Sequence, residues 1–103
     1  MGRYIVNNRI YVNPGYEELF EARFAARAGQ IDKQPGFVAM RVLRPVGSHA
    51  PYVVETEWQS HEAFRAWVGS DDFKQAHANP LPDDATREGG GIEQFDVVIA
   101  VQA

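Results

Sequence analysis

The stretch that decides the fold runs from Phe37 to Trp58 and reads FVAMRVLRPVGSHAPYVVETEW. Its two apolar runs, 37–46 and 52–58, are typical of β-strands, and the turn Pro45–Pro51 between them contains proline, glycine and serine. Parallel strands need a crossover of a dozen or more residues, so a connection this short favours an antiparallel hairpin. We therefore predict that these two strands are neighbours in one sheet.

A strand and a helix are predicted on the N-terminal side of this hairpin. Residues 3–12 alternate in polarity with the period of a strand. We expect Asn13 to cap the following helix and Pro14 to occupy its first position, and Pro35-Gly36 to end it. The apolar side chains that recur at helical spacing are Tyr16, Phe20, Phe24, Ala28 and Ile31.

Two short helices and a last strand are predicted on the C-terminal side. Ser60 can cap the first helix and Ser70 the second, which runs to about His77. Residues 79–91 are rich in proline, aspartate and glycine, and we expect a mobile loop or flap there. Residues 92–101 then form the fourth strand.

The order β-α-β-β-α-β is that of a ferredoxin-like α+β sheet with both helices on one face. The length of 103 residues suits a single domain, 1–103. The strands are apolar on both sides, so the face away from the helices also needs cover. A homodimer would supply that cover by pairing two such sheets.

The composition indicates which kinds of partner to expect and where in the cell the protein is located. The net charge is −4 and there is no basic run, so we expect no nucleic-acid partner. No apolar stretch reaches the ~18–20 residues of a membrane helix, and no signal-peptide pattern opens the sequence, so we expect no membrane partner. Cysteine is absent, which excludes disulfides and thiolate chemistry and is compatible with the cytoplasm, the location we expect.

The segment from Phe64 to His77 can bring two rings to one cavity. On one unbroken helix Trp67 and His77 would lie ~15 Å apart along the axis and out of register. The break at Gly69-Ser70 allows two short helices to meet at an angle and direct both rings at a common space. Asn8 adds a polar side chain on the otherwise apolar face of the first strand.

Each of these residues also has a common structural explanation. An asparagine can bond to nearby backbone, a tryptophan can fill the core, and a histidine can end a helix. The functional alternatives are an amide donor in a ligand pocket for Asn8 and an axial haem ligand for His77, since that role requires a single neutral imidazole. Arg23 and Arg27 flank Phe24, either as a solvated face or as cations for an anionic ligand such as haem propionates.

A wider set of residues forms a pattern over nearly the whole chain. The set comprises Asn8-Arg9, Arg23-Phe24, Arg27, Pro35-Gly36-Phe37, the strand Tyr52–Trp58, Ala63-Phe64, Trp67, Ser70, Phe73 and Ala76-His77. In this pattern the chain resembles the antibiotic biosynthesis monooxygenase (ABM) superfamily, and within it the IsdG-type haem-degrading monooxygenases. The combination of asparagine, tryptophan and histidine is its most specific part, because cofactor-independent members generally lack it.

The resemblance implies a role for each of these three residues. His77 corresponds to the proximal ligand of the haem iron, Asn8 to the amide on the distal side, and Trp67 to the bulky residue that presses the porphyrin out of planarity. Haem is then both cofactor and substrate, and O2 with electrons from an external donor, a separate reductase, opens the ring and releases iron. The further cofactor contacts predicted are Arg23, Phe24, Arg27, Phe64 and Phe73.

The fold that the resemblance implies is a dimeric α+β barrel with one haem cleft per subunit, between sheet and helices. Two other functions stay open. One is a cofactor-independent monooxygenase that acts on a phenolic or quinol substrate in the same cleft. The other is a non-catalytic haem-binding dimer.

Overall fold

The computed structural model describes residues 3–47 and 49–103. Within these residues the chain forms four β-strands, three α-helices and one short 3-10 helix. The elements are β1 Tyr4–Val12, α1 Glu17–Ile31, β2 Phe37–Leu43, β3 Tyr52–Trp58, α2 His61–Val68, α3 Asp71–Ala76, the 3-10 helix Asp83–Ala85 and β4 Thr86–Asp96. None of the helices in the described part is long and apolar enough to span a membrane.

The four strands form one antiparallel sheet in the order β2-β3-β1-β4. β2 and β3 are hydrogen-bonded neighbours, so the hairpin predicted from Phe37 to Trp58 is confirmed, although β2 ends at Leu43 rather than at Val46. The strand order is that of the ferredoxin-like fold, which confirms the predicted α+β class.

One face of the sheet packs against the helices. β3 alternates strictly along its length, and its buried side chains are Tyr52, Val54, Thr56 and Trp58. The apolar ones join two core clusters: Trp58 packs with Ile31 and Trp67, and Tyr52 and Val54 pack with Phe20 and Phe24. Trp58 and Phe20 are fully buried, and burying such a side chain stabilises the fold by roughly 2–3 kcal/mol.

Ser70 sets the break between α2 and α3. Its hydroxyl accepts a hydrogen bond from the amide N–H of Phe73 at 3.1 Å and donates one to the carbonyl of Trp67 at 2.7 Å. Ser60 caps α2 in the same way, through the amide of Ala63. The two predicted serine caps and the predicted break are therefore confirmed.

The predicted cap of α1 is wrong. The helix begins at Glu17 after Tyr16, and no side chain caps it. Asn13 is used elsewhere, because its side-chain amide donates to the carbonyl of Asp84 at 2.7 Å and its backbone N–H donates to the carbonyl of Ala85 at 2.8 Å. A long-range contact between the end of β1 and the start of β4 thus takes the place of a local cap.

The prediction of a loop over 79–91 is wrong for its second half. β4 begins at Thr86 and ends at Asp96, so it starts earlier and ends earlier than the predicted strand 92–101. The glycines lie within the strand because they form a β-bulge opposite Arg9–Tyr11, where a Cβ on Gly90 would lie 2.0 Å from the carbonyl oxygen of Arg9. Glycine in a strand marks such a close backbone approach.

Ion pairs cross the strands on the other face of the sheet, which lies away from the helices. The pairs are Arg3–Glu57, Arg9–Glu93 and Arg41–Glu55. Apolar side chains lie between them, including Ile5 and its cross-strand neighbour Phe95, which is 46% exposed. Three pairs of opposite charges on this face are thus matched within the chain, and we call it the open face.

A network at one side of α1 holds the helix to β2 and β3. Arg44 donates two hydrogen bonds to the carboxylate of Glu21, at 2.7 and 2.8 Å, and the hydroxyl of Tyr52 donates a third at 2.5 Å. The bonds from Arg44 and then Tyr52 lower the pKa of Glu21 to about 2. Burial, followed by the bond to Glu21, raises the pKa of Tyr52.

We expect Glu21→Gln to make stability less dependent on pH in acid. The pKa of Glu21 is about 2 in the folded chain against an ordinary value of 4.5, so the unfolded chain binds the proton first as the pH falls. The stabilisation from this carboxylate is complete above pH 4.5 and is lost toward pH 2. Urea unfolding at pH 5 and pH 3 should show a smaller loss of unfolding free energy for the variant than for the wild type. Equal losses would contradict the network.

Candidate functional site

A cavity of about 340 Å³ lies between the helix-facing side of the sheet and the three helices. Seven of the eight predicted site residues line it, namely Asn8, Phe24, Arg27, Phe64, Trp67, Phe73 and His77. The wall is mainly apolar and aromatic, with a few polar groups, which is the usual composition of a small-molecule site.

The imidazole of His77 is held in one tautomer. His77 follows the last residue of α3, and its Nδ1 lies 2.8 Å from the carbonyl oxygen of Phe73. A carbonyl oxygen only accepts hydrogen bonds, so Nδ1 carries the proton and Nε2 keeps its lone pair. Such a bond to the backbone is how proteins orient a metal-ligating histidine.

Three rings follow one another in contact along one wall of the cavity. The indole of Trp67 meets the ring of Phe73 edge-on, at 5.3 Å between centroids, and Phe73 lies 4.1 Å from the imidazole of His77. Trp67 is only 6% exposed, so its position is fixed by packing. The break at Ser70 therefore brings the two predicted rings together through Phe73.

Asn8 lies on the sheet side of the cavity. In the register it is opposite Val54 of β3 and Ile92 of β4, which also line the cavity. Side chains paired across antiparallel strands point to the same face. The structure thus places Asn8 toward the helices and Asn7 on the open face, as the strand alternation predicts.

The two arginines of α1 have different surroundings. The guanidinium of Arg27 lies 4.5 Å from the centre of the Phe24 ring and lines the cavity. Burial, followed by repulsion from Arg23, lowers the pKa of Arg27, so an anionic ligand beside it would be favoured. Arg23 is the predicted site residue that does not line the cavity, because its guanidinium donates to the carbonyl oxygens of Asn79 and Pro80.

The sequence matches a known protein family. The family model described as antibiotic biosynthesis monooxygenase matches residues 3–79, about three quarters of the chain. The chain belongs to the antibiotic biosynthesis monooxygenase family. This confirms the superfamily that the sequence resembles, and all residues that line the cavity except Ile92 and Gln94 lie within the matched range.

Individual ABM proteins are similar along most of the chain. A haem oxygenase (mycobilin-producing) from Mycobacterium tuberculosis is 37% identical over 94 residues, which cover 91% of this chain and 88% of the relative. The structure of the haem-degrader MhuD from the same organism, with two haems bound in its active site, has a TM-score of 0.78 at 35% identity and covers 96% of this chain and 99% of MhuD.

An ABM protein with different chemistry is also similar. The structure of SnoaB, a cofactor-independent oxygenase from Streptomyces nogalater, has a TM-score of 0.73 at 26% identity, and the match covers 100% of this chain and 97% of SnoaB. The ABM fold alone therefore does not decide between haem and cofactor-free chemistry. The residues of the cavity must decide it.

Several lining residues of this ABM protein were missed by the sequence analysis. They are Val6, Ile31, Met40, Val54, Thr56, Val68, Ala76, Ile92 and Gln94. Those on the strands share the face of Asn8, so the alternation within each strand could have found them if the register between strands had been known. Of the two missed residues on β4, Gln94 is polar, and the hydroxyl of Tyr4 donates a hydrogen bond to its side-chain oxygen.

A second cavity of about 410 Å³ lies on the other side of α1, against β2. Its polar groups are those of Glu21, Arg44 and Tyr52, which are already hydrogen-bonded to one another. It contains one predicted site residue, Phe24, which also lines the first cavity. Although it is larger, it offers a ligand fewer free polar groups, so the first cavity is the candidate site.

We expect the neutral imidazole of His77 to carry its proton on Nδ1. At pH 8, where histidine is ordinarily neutral, long-range 1H–15N correlation spectra of the apoprotein should show a pyrrole-type Nδ1 and a pyridine-type Nε2 for His77. The exposed His49 serves as the internal reference, since free imidazoles prefer the opposite tautomer. A protonated Nε2 on His77 would contradict the geometry.

Proposed function

We propose that this protein is a haem-degrading monooxygenase that opens the porphyrin ring with O2 and releases iron. The observation that carries the proposal is the imidazole of His77, whose Nδ1–H bond to Phe73 leaves Nε2 free at a cavity that Asn8 and Trp67 also line. The family membership and the similarity to haem oxygenases and to haem-bound MhuD support it.

The residues of the cavity fit a haem. Aromatic rings suit a flat apolar macrocycle, and Nε2 of His77 suits its iron as a single axial ligand. The carbonyl of Phe73 accepts a hydrogen bond from Nδ1–H, which fixes the orientation of the ring and makes Nε2 the nitrogen that can bind a metal. When bound, haem supplies the redox-active iron for reaction with O2 and is itself the substrate.

Trp67 is placed to resist movement of a bound ring. It is buried against Val6, Ile31 and Trp58 in the core, and Phe73 meets it edge-on. A side chain fixed in this way can press on a macrocycle without yielding, and distortion of the macrocycle is one means by which a protein tunes haem. We propose that Trp67 distorts the porphyrin.

Asn8 and Arg27 supply the polar interactions of the site. The amide of Asn8 extends from the sheet wall and can donate a hydrogen bond to an oxygen atom where negative charge develops during the reaction. The guanidinium of Arg27 can pair with a haem propionate. Ring opening consumes electrons, and we propose that an external donor, a separate reductase, supplies them.

We expect hemin to bind the purified protein and to be degraded when reductant and O2 are present. His77→Ala should lower hemin affinity roughly 10-fold or more, because the iron loses its axial ligand. Asn8→Ala should bind hemin nearly normally but slow ring opening by roughly 100-fold, the usual effect of removing one preorganised donor. His49→Ala, a change in an exposed turn outside the cavity, is the matched control. Soret absorbance measures both binding and loss of the ring.

Three outcomes would overturn or redirect the assignment. If His77→Ala bound and degraded hemin as well as the wild type, the proposed function would be wrong. Turnover of a phenol or quinol without haem would favour a cofactor-independent monooxygenase like SnoaB. Haem that binds but stays intact with reductant and O2 would favour a non-catalytic haem-binding protein.

We also propose that two copies pair through the open face to form the dimeric barrel that the sequence resemblance implies. Asn7 lies on this face, and its buried Oδ1 accepts no hydrogen bond from any residue in 3–47 or 49–103. An unpartnered buried acceptor costs roughly 1–3 kcal/mol, so a donor from a second copy would be favoured. Beyond β4, Val98, Ile99 and Val101 are 82–89% exposed and add apolar surface.

We expect Phe95→Glu to convert a dimer into a monomer. Phe95 is exposed on the open face, where a new carboxylate would be buried and unpaired in the interface. Light scattering after size exclusion should give twice the 11.5 kDa chain mass for the wild type and 11.5 kDa for the variant. Val46→Glu, at a fully exposed site after β2, should leave the dimer intact. A monomeric wild type would refute the pairing.

A further inference from the structure

Hydrogen bonds to neighbouring segments hold both ends of the helix that precedes His77, in addition to the packing of Phe73 and Ala76 against the core. α3 has six residues, and none of them is buried. In its first turn, the carboxylate of Asp72 accepts a hydrogen bond from the side chain of Gln34 at 2.8 Å. After it, the guanidinium of Arg23 donates to the carbonyl oxygens of Asn79 and Pro80 at 2.8 and 2.7 Å. Both ends of α3 are thus tied to α1 or to the residues that follow it.

We propose that Arg23 is a positioning residue for His77: by holding residues 79–80 against α1, its guanidinium fixes where the imidazole enters the cavity. The inference rests on the proposed function only in that it takes His77 as the haem ligand. It differs from the sequence-based prediction, in which Arg23 binds the haem directly.

The carbonyls that Arg23 binds lie close to His77 along the chain. One residue, Ala78, separates His77 from Asn79, so only two peptide units join the Cα atom of His77 to that of Asn79, and a movement of the bonded carbonyls reaches the imidazole over a short stretch of backbone. The ends of the last helical turn are bonded only locally, with the amide of His77 donating to the carbonyl of Phe73 at 3.1 Å and that of Ala78 to Gln75 at 3.2 Å. Without Arg23 this short turn could fray.

The chain on the far side of these carbonyls is anchored as well. Leu81 follows Pro80 directly and packs against the cluster of Phe20 and Phe24. Arg23 lies beside Phe24 on α1, so the polar and apolar contacts hold the same segment to the same part of the helix. Residues 78–82 therefore form a strap between His77 and the core, and Arg23 holds its near end.

The two arginines of α1 divide two tasks between them. Arg27 lines the cavity and faces a ligand, whereas Arg23 bonds to the backbone that follows His77. Both hydrogen bonds of Arg23 are charge-assisted, which makes them stronger than neutral ones. Both bonds leave from one nitrogen, Nη1; a lysine ammonium can also donate two bonds from one nitrogen, but it stands on a shorter side chain, so it should replace arginine only in part.

The experiment compares Arg23→Ala in two backgrounds, with hemin affinity as the readout. In the wild-type background we expect Arg23→Ala to weaken hemin binding by roughly 10-fold, the equivalent of one charge-assisted hydrogen bond, and Arg23→Lys to weaken it less. In a His77→Gly background with added imidazole as the axial ligand, Arg23→Ala should have no further effect. Arg27→Ala is the matched control and should weaken binding in both backgrounds.

The two backgrounds distinguish whether Arg23 acts through His77 or contacts haem directly. Equal losses from Arg23→Ala in both backgrounds would overturn the proposal and favour a propionate contact. Unchanged affinity in the wild-type background would also overturn it. Failure of imidazole to restore hemin binding to His77→Gly would instead count against His77 as the ligand, and therefore against the proposed function.

A second measurement on the apoprotein needs no haem. Amide hydrogen exchange at His77 and Ala78 should be roughly 10-fold faster in Arg23→Ala, because the last turn of α3 opens more often, while exchange in the middle of α1 stays unchanged. This outcome supports the strap even if hemin fails to bind. Unchanged exchange at both amides, or faster exchange throughout the chain, would overturn the positioning role.

Discussion

The hydroxyl of Ser70 is the single group on which the arrangement of the site depends. One oxygen donates to the carbonyl of Trp67, where α2 ends, and accepts from the amide of Phe73, where α3 begins. An N-cap of this kind contributes ~1 kcal/mol, which is small beside the energy of the core. The cap matters for geometry more than for stability. The turn that it fixes brings Phe73 into contact with both Trp67 and His77. Neither helix alone could present all three rings to the same cavity.

α1 separates two regions, the polar network around Glu21 and the candidate site. On one side Glu21 is bonded to Arg44 and Tyr52, and this network serves the attachment of the helix to the sheet. On the other side Arg27 lines the candidate site. Phe24 contacts both regions, since it lines both cavities. A single amphipathic helix thus separates the groups that stabilise the fold from those that can meet a ligand.

The parts that could be predicted from the sequence are those set by local patterns. Alternation with a period of two placed Asn8 and Asn7 on opposite faces, and the two serine caps followed from their positions before helical segments. The cap at Asn13 and the loop at 79–91 were wrong because a distant pairing decided them. Asn13 bonds to Asp84 and Ala85, which lie 71 and 72 residues further along the chain, and no local pattern reveals that contact. The bonds of Arg23 to the strap were hidden for the same reason.

The bulge in β4 affects which side chains of this strand face the cavity. Three residues, 88–90, lie opposite the single residue between Arg9 and Tyr11, so the bulge adds two residues to one strand. An even number preserves the alternation, which keeps Ile92 on the cavity side and leaves Phe95 on the open face. A bulge with one residue more or fewer would keep these two faces only through a different backbone conformation of the glycines. The glycine segment therefore lengthens β4 and, at the same time, determines which of its side chains meet the cavity.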